Sequence, residues 1–354
     1  MKRKDWLLRA AVAAVLLVLL LRYPREMTDG IRQGLTLCAA AVIPSLFPFM
    51  TLCAFFVRSG LYAPFGRKLS FLMRALFRLP GAAAAAVLLG LCGGYPVGTR
   101  MTAELYKAGS LTQSQAQRMC LFCVAAGPAF VSGTVGAVML GSRALGWLLY
   151  ASLTLAALTP GILLRYTDAP PQPMTAAASR QPLARSLCES VADAGGSMLS
   201  LCAWVLLFSG VCAALRRLPE GGALPLVCLL EVTNGCKAGV EAGLSAPILA
   251  AILGFGGVSV HCQVLPDVTA CGVPLSRFWA FRTIVGALAA VYCALLLRLF
   301  PLAEPVSLVR TDAVVRMSGA TAPVSAAMLA TAAVFILNTS QPRTDRCKSR
   351  GSMV

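Results

Sequence analysis

The chain is constrained most by an apolar run that stops before it can cross a membrane. Pro80 to Cys92 contains only proline, glycine, alanine, valine, leucine and cysteine. It runs straight into Gly93-Gly94-Tyr95-Pro96-Val97-Gly98-Thr99-Arg100. A helix that spans a ~30 Å hydrocarbon core needs about 20 apolar residues, and this run has 13. Gly-Gly-x-Pro then frees backbone amides and carbonyls, which at membrane depth are tolerated only inside protein or around a watery cavity. The pattern predicts one arm of a re-entrant hairpin, the kind of broken helix that builds solute and ion sites. The plainer alternative is a spanning helix kinked by proline and packed through its glycines.

Composition supports a membrane setting. Of 354 residues, 58% are hydrophobic and 13% charged, with a mean hydropathy of +0.75. This is more apolar surface than a soluble domain can hide, so the chain reads as all-α and polytopic. The net charge of +17 sits in short loops between apolar runs, not on a basic face with aromatics. It fits orientation in an anionic membrane and argues against nucleic acid as a partner. The 14 cysteines are scattered through apolar segments and behave as small hydrophobes. Cys120 and Cys123 have C-x-x-C spacing but lie in the apolar Met119–Val124 stretch, which points to packing. His261 is the single histidine, so a histidine-based metal cluster is excluded. The sequence has no Walker A motif, GxGxxG or nucleophile–base set, and no enzyme activity, cofactor or metal is expected.

Five segments follow from the order of apolar runs. Residues 1–30 are an N-terminal anchor helix, with Trp6 to Leu21 apolar and no cleavage site after it. Residues 31–165 form a first repeat. It holds a span over 34–57, a basic amphipathic stretch over 58–78 and the short broken run. A capping box at Ser110-Leu111-Thr112-Gln113 opens a helix that breaks at Gly127-Pro128, and a span covers 145–164. Residues 166–185 are a polar, proline-containing linker. Residues 186–300 restart the pattern: a long span over 186–215, a short run over 223–230, a span over 245–264 broken at Gly256-Gly257, and a span over 278–300. Residues 301–354 are a loop, a weak apolar segment and a basic tail.

Shifting residues 88–98 by 141 places Leu88, Leu89, Gly94 and Gly98 on Leu229, Leu230, Gly235 and Gly239. The repeated order of elements is the sign of internal repeats. If each short hairpin re-enters, each repeat crosses three times and the second copy is inverted. Segments then assigned to the inner side, including Arg118 and Arg282, hold 20 lysines and arginines against 10 outside. That bias favours a cytoplasmic N-terminus.

Gly93-Gly94-Tyr95-Pro96-Val97-Gly98-Thr99-Arg100 with Ala103-Glu104-Leu105-Tyr106, Phe122-Cys123…Gly127-Pro128-Ala129-Phe130, Leu230-Glu231-Val232-Thr233-Asn234-Gly235 and Gly254-Phe255-Gly256-Gly257-Val258-Ser259-Val260-His261 carry a resemblance. Together they resemble the sporulation integral membrane protein YlbJ family, among the membrane proteins with nucleoside-recognition (Gate) domains. The resemblance covers roughly residues 31–300. It implies a bacterial inner membrane and a role in making the spore. It does not identify a substrate, because Gate domains also occur in nucleoside and ferrous-iron transporters. The chain departs from the family at Val124 and Ala125, where relatives tend to carry two asparagines.

The expected hairpin turns are Gly93, Gly94, Pro96, Gly98, Gly127, Pro128, Gly235, Gly256 and Gly257. Glu231, Thr233 and Asn234 offer a carboxylate, a hydroxyl and an amide at the second turn, and an ionisable group inside a membrane lines a pathway or finds a partner. They are expected to share one substrate cavity with Tyr95, Thr99 and His261. Ser132 and Thr134 either satisfy freed backbone groups or face that cavity. The partners expected are the lipid bilayer, a small polar solute, and Na⁺ or H⁺; self-association into an oligomer is left open. The sequence thus points to a secondary transporter or facilitator of a nucleoside-like solute or organic anion. The alternative is a non-transporting membrane scaffold or assembly factor for the spore envelope.

Overall fold

The computed structural model describes residues 3–167, 182–217 and 222–302, and among them every regular element is helical. Most of the 166–185 linker and nearly all of the 301–354 segment lie outside the described residues. Arg3–Arg22 forms α1 and Pro24–Leu37 forms α2, with Pro24 at a first position where its missing N–H is not needed. A π-helical turn, Cys38–Val42, joins α2 to α3, Ile43–Arg58. Pro44 has no N–H to close a regular bond across that turn, and the helix widens there. The span expected over 34–57 is therefore the later part of a longer helix that begins at Pro24 and crosses the boundary drawn at residue 30.

Tyr62–Phe77 forms α4, turned 95° from α3. It buries Tyr62, Gly66, Met73 and Phe77 and exposes Arg67, Lys68, Phe71 and Arg74, the amphipathic pattern expected of this stretch. Ala83–Gly93 (α5) and Tyr95–Lys107 (α6) flank a single-residue break. Gln113–Phe122 forms α7. Its capping box is Thr112 with Gln115, two residues later than the sequence pattern suggested, with bonds of 3.3 and 3.1 Å. The chain then leaves helix from Cys123 onward, earlier than the expected break at Gly127. It resumes as a π-helical stretch, Ala129–Met139, followed by α8, Arg143–Leu163.

The second half holds α9 (Leu183–Leu215), α10 (Ala223–Leu230), α11 (Val232–Glu241), α12 (Ala246–Phe255), α13 (Gly257–Ala270) and α14 (Leu275–Leu299). Among the described residues, four stretches are long and apolar enough to cross a membrane. They are Arg143–Tyr166, α9, α12 with α13, and α14; α3 with α4 would add a fifth only as a bent pair. The apolar part of α1, Ala10–Arg22, falls short of that length. Leu155, Leu163, Leu199, Leu207, Val291 and Leu295 point outward, so the exterior as well as the core is apolar. Apolar spans on this scale make the chain a multi-pass integral membrane protein.

Two arginines assigned to the aqueous inner side by the charge count are not in water. Arg118 is 1% exposed and donates to the Leu164 and Arg78 carbonyls at 3.0 and 3.3 Å. Arg282 is fully buried. Both satisfy helix ends inside the protein and carry no information about orientation.

Candidate functional site

Four interruptions of helix pack against one another. At the first, Gly94 has φ 94° and ψ −168°, a conformation essentially restricted to glycine. α5 and α6 fold back on each other there. A β-carbon on Gly90 would lie 2.8 Å from the Gly98 Cα, whereas residues eight apart in one helix are about 12 Å apart. The second hairpin closes the same way around Glu231, where a β-carbon on Gly235 would lie 2.8 Å from the Cys228 Cα. α5 has 11 residues and α10 has 8, so neither could cross a ~30 Å core alone.

The structure therefore pairs Gly94 with Glu231 and Gly98 with Gly235, one helical turn away from the register read in the sequence. Gly98 and Gly235 sit inside α6 and α11, not in turns. Gly93 is the last residue of α5, and Pro96 lies in the first turn of α6. The third interruption, Cys123–Pro128, packs on the first. A β-carbon on Gly94 would come within 3.0 Å of the Gly127 amide nitrogen. The fourth, Gly256-Gly257, packs on the second: a β-carbon on Gly257 would be 3.1 Å from the Val232 nitrogen.

The end of α12 shows how the halves are held. A helix leaves its last four carbonyls without intrahelical partners. Here the Ile252 carbonyl accepts from the Gly256 amide at 2.9 Å. Leu253 accepts from the Tyr95 hydroxyl at 2.6 Å. Gly254 accepts from Arg282 Nη2, and Phe255 from Arg282 Nε at 3.2 Å and His261 Nε2 at 2.8 Å. The third arm of Arg282, Nη1, reaches the Val124 carbonyl just past α7 at 2.5 Å. One guanidinium thus ties two helix ends, where the dipole favours a cation.

Between the interruptions lies a cavity of about 290 Å³. Gly93, Gly94, Tyr95 and Pro96 line it from the first break, Gly127 from the third, and Glu231, Val232 and Thr233 from the second. Phe49, Phe130, Leu201 and Val205 give apolar walls, and Thr134 and Gln263 add polar ones. Both π-helical stretches border it, through Val42 and through Ala129, Phe130 and Thr134. Such stretches are frequent at functional sites.

Glu231 is 2% exposed and sits extended at the N-cap of α11. Its Oε1 accepts from the Thr233 amide at 3.1 Å, and its Oε2 from the Asn234 amide at 2.7 Å and Asn234 Nδ2 at 2.8 Å. A carboxylate at a helix N-terminus is favoured by the dipole and by capping. Part of the partnering that Glu231 needs at this depth thus comes from the N-terminus of α11 itself. A carboxylate offers about four acceptor sites, two per oxygen, and of these Oε1 uses one, for the Thr233 amide.

The six candidate binding residues divide. Tyr95, Glu231 and Thr233 line the cavity. Thr99 does not; it is buried and donates to the Pro96 carbonyl at 3.1 Å. Asn234 bonds Glu231 and Ser209. His261 is caged by Trp279, Phe255 and Phe278 at ring separations of 4.5, 4.8 and 5.4 Å, outside the cavity lining. Its bond to a carbonyl places the proton on Nε2. Ser132 donates to the Pro128 carbonyl at 2.8 Å, while Thr134 faces the cavity. The sequence reading missed Arg282 and Gln263. The partners of Arg282 are backbone carbonyls distant in sequence, and Gln263 donates to Ser259 Oγ one turn back in α13 at 3.2 Å, a local bond that marks no site.

The family model described as nucleoside recognition, Gate, matches residues 39–145, which take in the first and third breaks. Over 335 aligned residues the chain is 26% identical to the sporulation integral membrane protein YlbJ of Bacillus subtilis (strain 168), covering 82% of each chain. The resemblance carried by the four motifs is thereby shown over most of the sequence. No solved structure matches.

Proposed function

We propose that this chain is a secondary transporter or facilitator of a small polar solute, nucleoside-like or an organic anion, used in spore formation. In this reading it lies in the bacterial inner membrane with its N-terminus in the cytoplasm. The two broken hairpins enter from opposite sides as an inverted pair and hold the solute between them. The observation that carries the reading is that residues of both breaks, Gly94–Pro96 and Glu231–Thr233, line one cavity. The cavity is at the lower end of the size range of small-molecule sites. It mixes apolar walls with a few convergent polar groups, the usual composition of such sites. The spore role comes from the likeness to YlbJ. Without a nucleotide-hydrolysis motif, the driving force is a gradient of Na⁺, of H⁺ or of the solute itself. Proteoliposomes loaded with purified protein and offered nucleosides, small organic acids and divalent metal ions test this. Uptake of one class above empty liposomes supports it, and uptake of none defeats it.

One observation favours the scaffold reading. Thr99, Asn234 and His261 are engaged by the protein's own groups, as a purely structural polar centre would be. Restoration of spore formation by a variant whose cavity is filled with bulky side chains would decide for it.

A further inference from the structure

We infer that α9 is the gate helix of the cavity, latched on each side of it by polar contacts to a helix that follows a break. The inference rests on the transport reading. α9 gives Leu201 and Val205 to the cavity wall. On one side of them, Asp193 Oδ2 lies 3.9 Å from Arg100 Nη2. On the other, Ser209 Oγ accepts from Asn234 Nδ2 at 3.3 Å. Asp193 and Ser209 are 16 residues apart in one helix, about 24 Å along its axis. The latches therefore stand on either side of the cavity.

Their partners lie on the helices that follow the two breaks, at different distances from them. Arg100 is on α6, which starts from the Gly94 break, and Asn234 is on α11, which starts from Glu231. Paired contacts of this kind are what two alternating gates require. Both are long for their type and suited to breaking and re-forming. At the Ser209 end, Arg216 and Glu241 add an exposed pair at 3.7 Å.

The body that would move with α9 is visible in its packing. A β-carbon on Gly34 would lie 3.1 Å from Ser209 Cβ, and one on Gly30 would lie 2.6 Å from Ala213 Cβ, so α2 sits directly on α9. Arg58, at the end of α3, bonds Glu189 at 2.5 Å and also Asp193. The opposite wall is fixed by Tyr95 and Arg282, which tie α6, the end of α7, α12 and α14 together. Packed helices of this sort slide by small shears once their polar ties open.

Access to the cavity tests the assignment without any solute. In the full chain, Thr134→Cys places a reporter in the lining. A membrane-impermeant methanethiosulfonate is applied to right-side-out and inside-out vesicles, and modification is read at residue 134 by peptide mass spectrometry. Arg100→Gln should raise labelling from the face carrying Arg58 about fivefold, the shift that losing one weak polar contact gives. Ser209→Ala should raise it from the opposite face. Asp193→Asn, which also weakens the Arg58 pair, should raise labelling from that face at least as much as Arg100→Gln, and Arg100→Lys, which keeps the charge, should stay near the parent. If Arg100→Gln and Ser209→Ala leave labelling unchanged, or both open the same face, the gate assignment is overturned. Opposite-face opening in a protein that takes up nothing would keep the gates and sink the transport reading. Uptake with unchanged labelling would do the reverse.

Discussion

The hydroxyl of Tyr95, the first residue after the break in the first half, donates to the carbonyl of Leu253, three residues before the break at Gly256 in the second half. The bond is 2.6 Å long and buried, and it spans 158 positions of chain. Two interruptions that each free backbone groups thus satisfy one another. Tyr95→Phe removes the donor and keeps the ring. It leaves one buried carbonyl unpaired, at about 1–3 kcal/mol. The expected result is a lower apparent melting temperature in detergent, with the cavity shape retained.

Arg282→Met should be the most damaging single change at the core. It strips donors from Gly254, Phe255 and Val124 together. Each hydrogen bond to a charged group contributes about 1.5–3 kcal/mol, so at least about 3 kcal/mol is lost even with relaxation. Arg282→Lys should rescue little, because one ammonium cannot span two helix ends as a planar fork does. The yield of monodisperse protein on size exclusion, compared across the three, checks this.

Glycine substitutions separate close packing from open space. A β-carbon on Gly98 would overlap the Cys123 carbonyl oxygen, whereas one on Gly133 would meet nothing within 4 Å. Gly98→Ala should push the first hairpin off the third break, costing about 1–3 kcal/mol as overpacking does. Gly133→Ala should be neutral or slightly stabilising. Melting of the two variants side by side reads the difference.

How much of this was legible in the sequence depends on how local the cause is. The first break is written in Gly93-Gly94-Tyr95-Pro96, because only glycine adopts the Gly94 backbone and proline cannot continue a helix. The second break has no glycine at its turn. Glu231 takes an ordinary extended conformation there, so the sequence drew the eye to Gly235, one turn too late. Arg282 looked like an interfacial basic residue. Its partners are carbonyls, which every residue has, so nothing in the sequence marks them. Thr99 stands out in the sequence by its place after the first break, and His261 as the single histidine. Their polarity serves backbone carbonyls: Thr99 bonds Pro96 within the first turn of α6, and His261 bonds Phe255 at the end of α12.

The proposed orientation rests on the basic residues that remain once Arg118 and Arg282 are set aside. The bias still favours the 166–185 linker on the cytoplasmic side. A single cysteine in place of Ser179, in a cysteine-free background, should react with an impermeant thiol reagent only after the membrane is opened. External labelling in sealed cells would reverse the topology.

Under the transport proposal the cavity between Tyr95 and Glu231 holds a solute, and Glu231→Gln probes that contact. The substitution keeps the size of the side chain and removes the charge and one acceptor. The α11 cap should weaken by about 1 kcal/mol, small enough to leave the protein folded in the membrane. A lost hydrogen bond from solute to carboxylate, at about 1.5–3 kcal/mol, lowers uptake roughly tenfold or more. The measurement is the initial rate of uptake into proteoliposomes, normalised to folded protein, for whichever solute the parent takes up. A tenfold loss with normal insertion is the predicted result. A parental rate would show that Glu231 only caps α11 and that the solute does not sit where the two breaks meet.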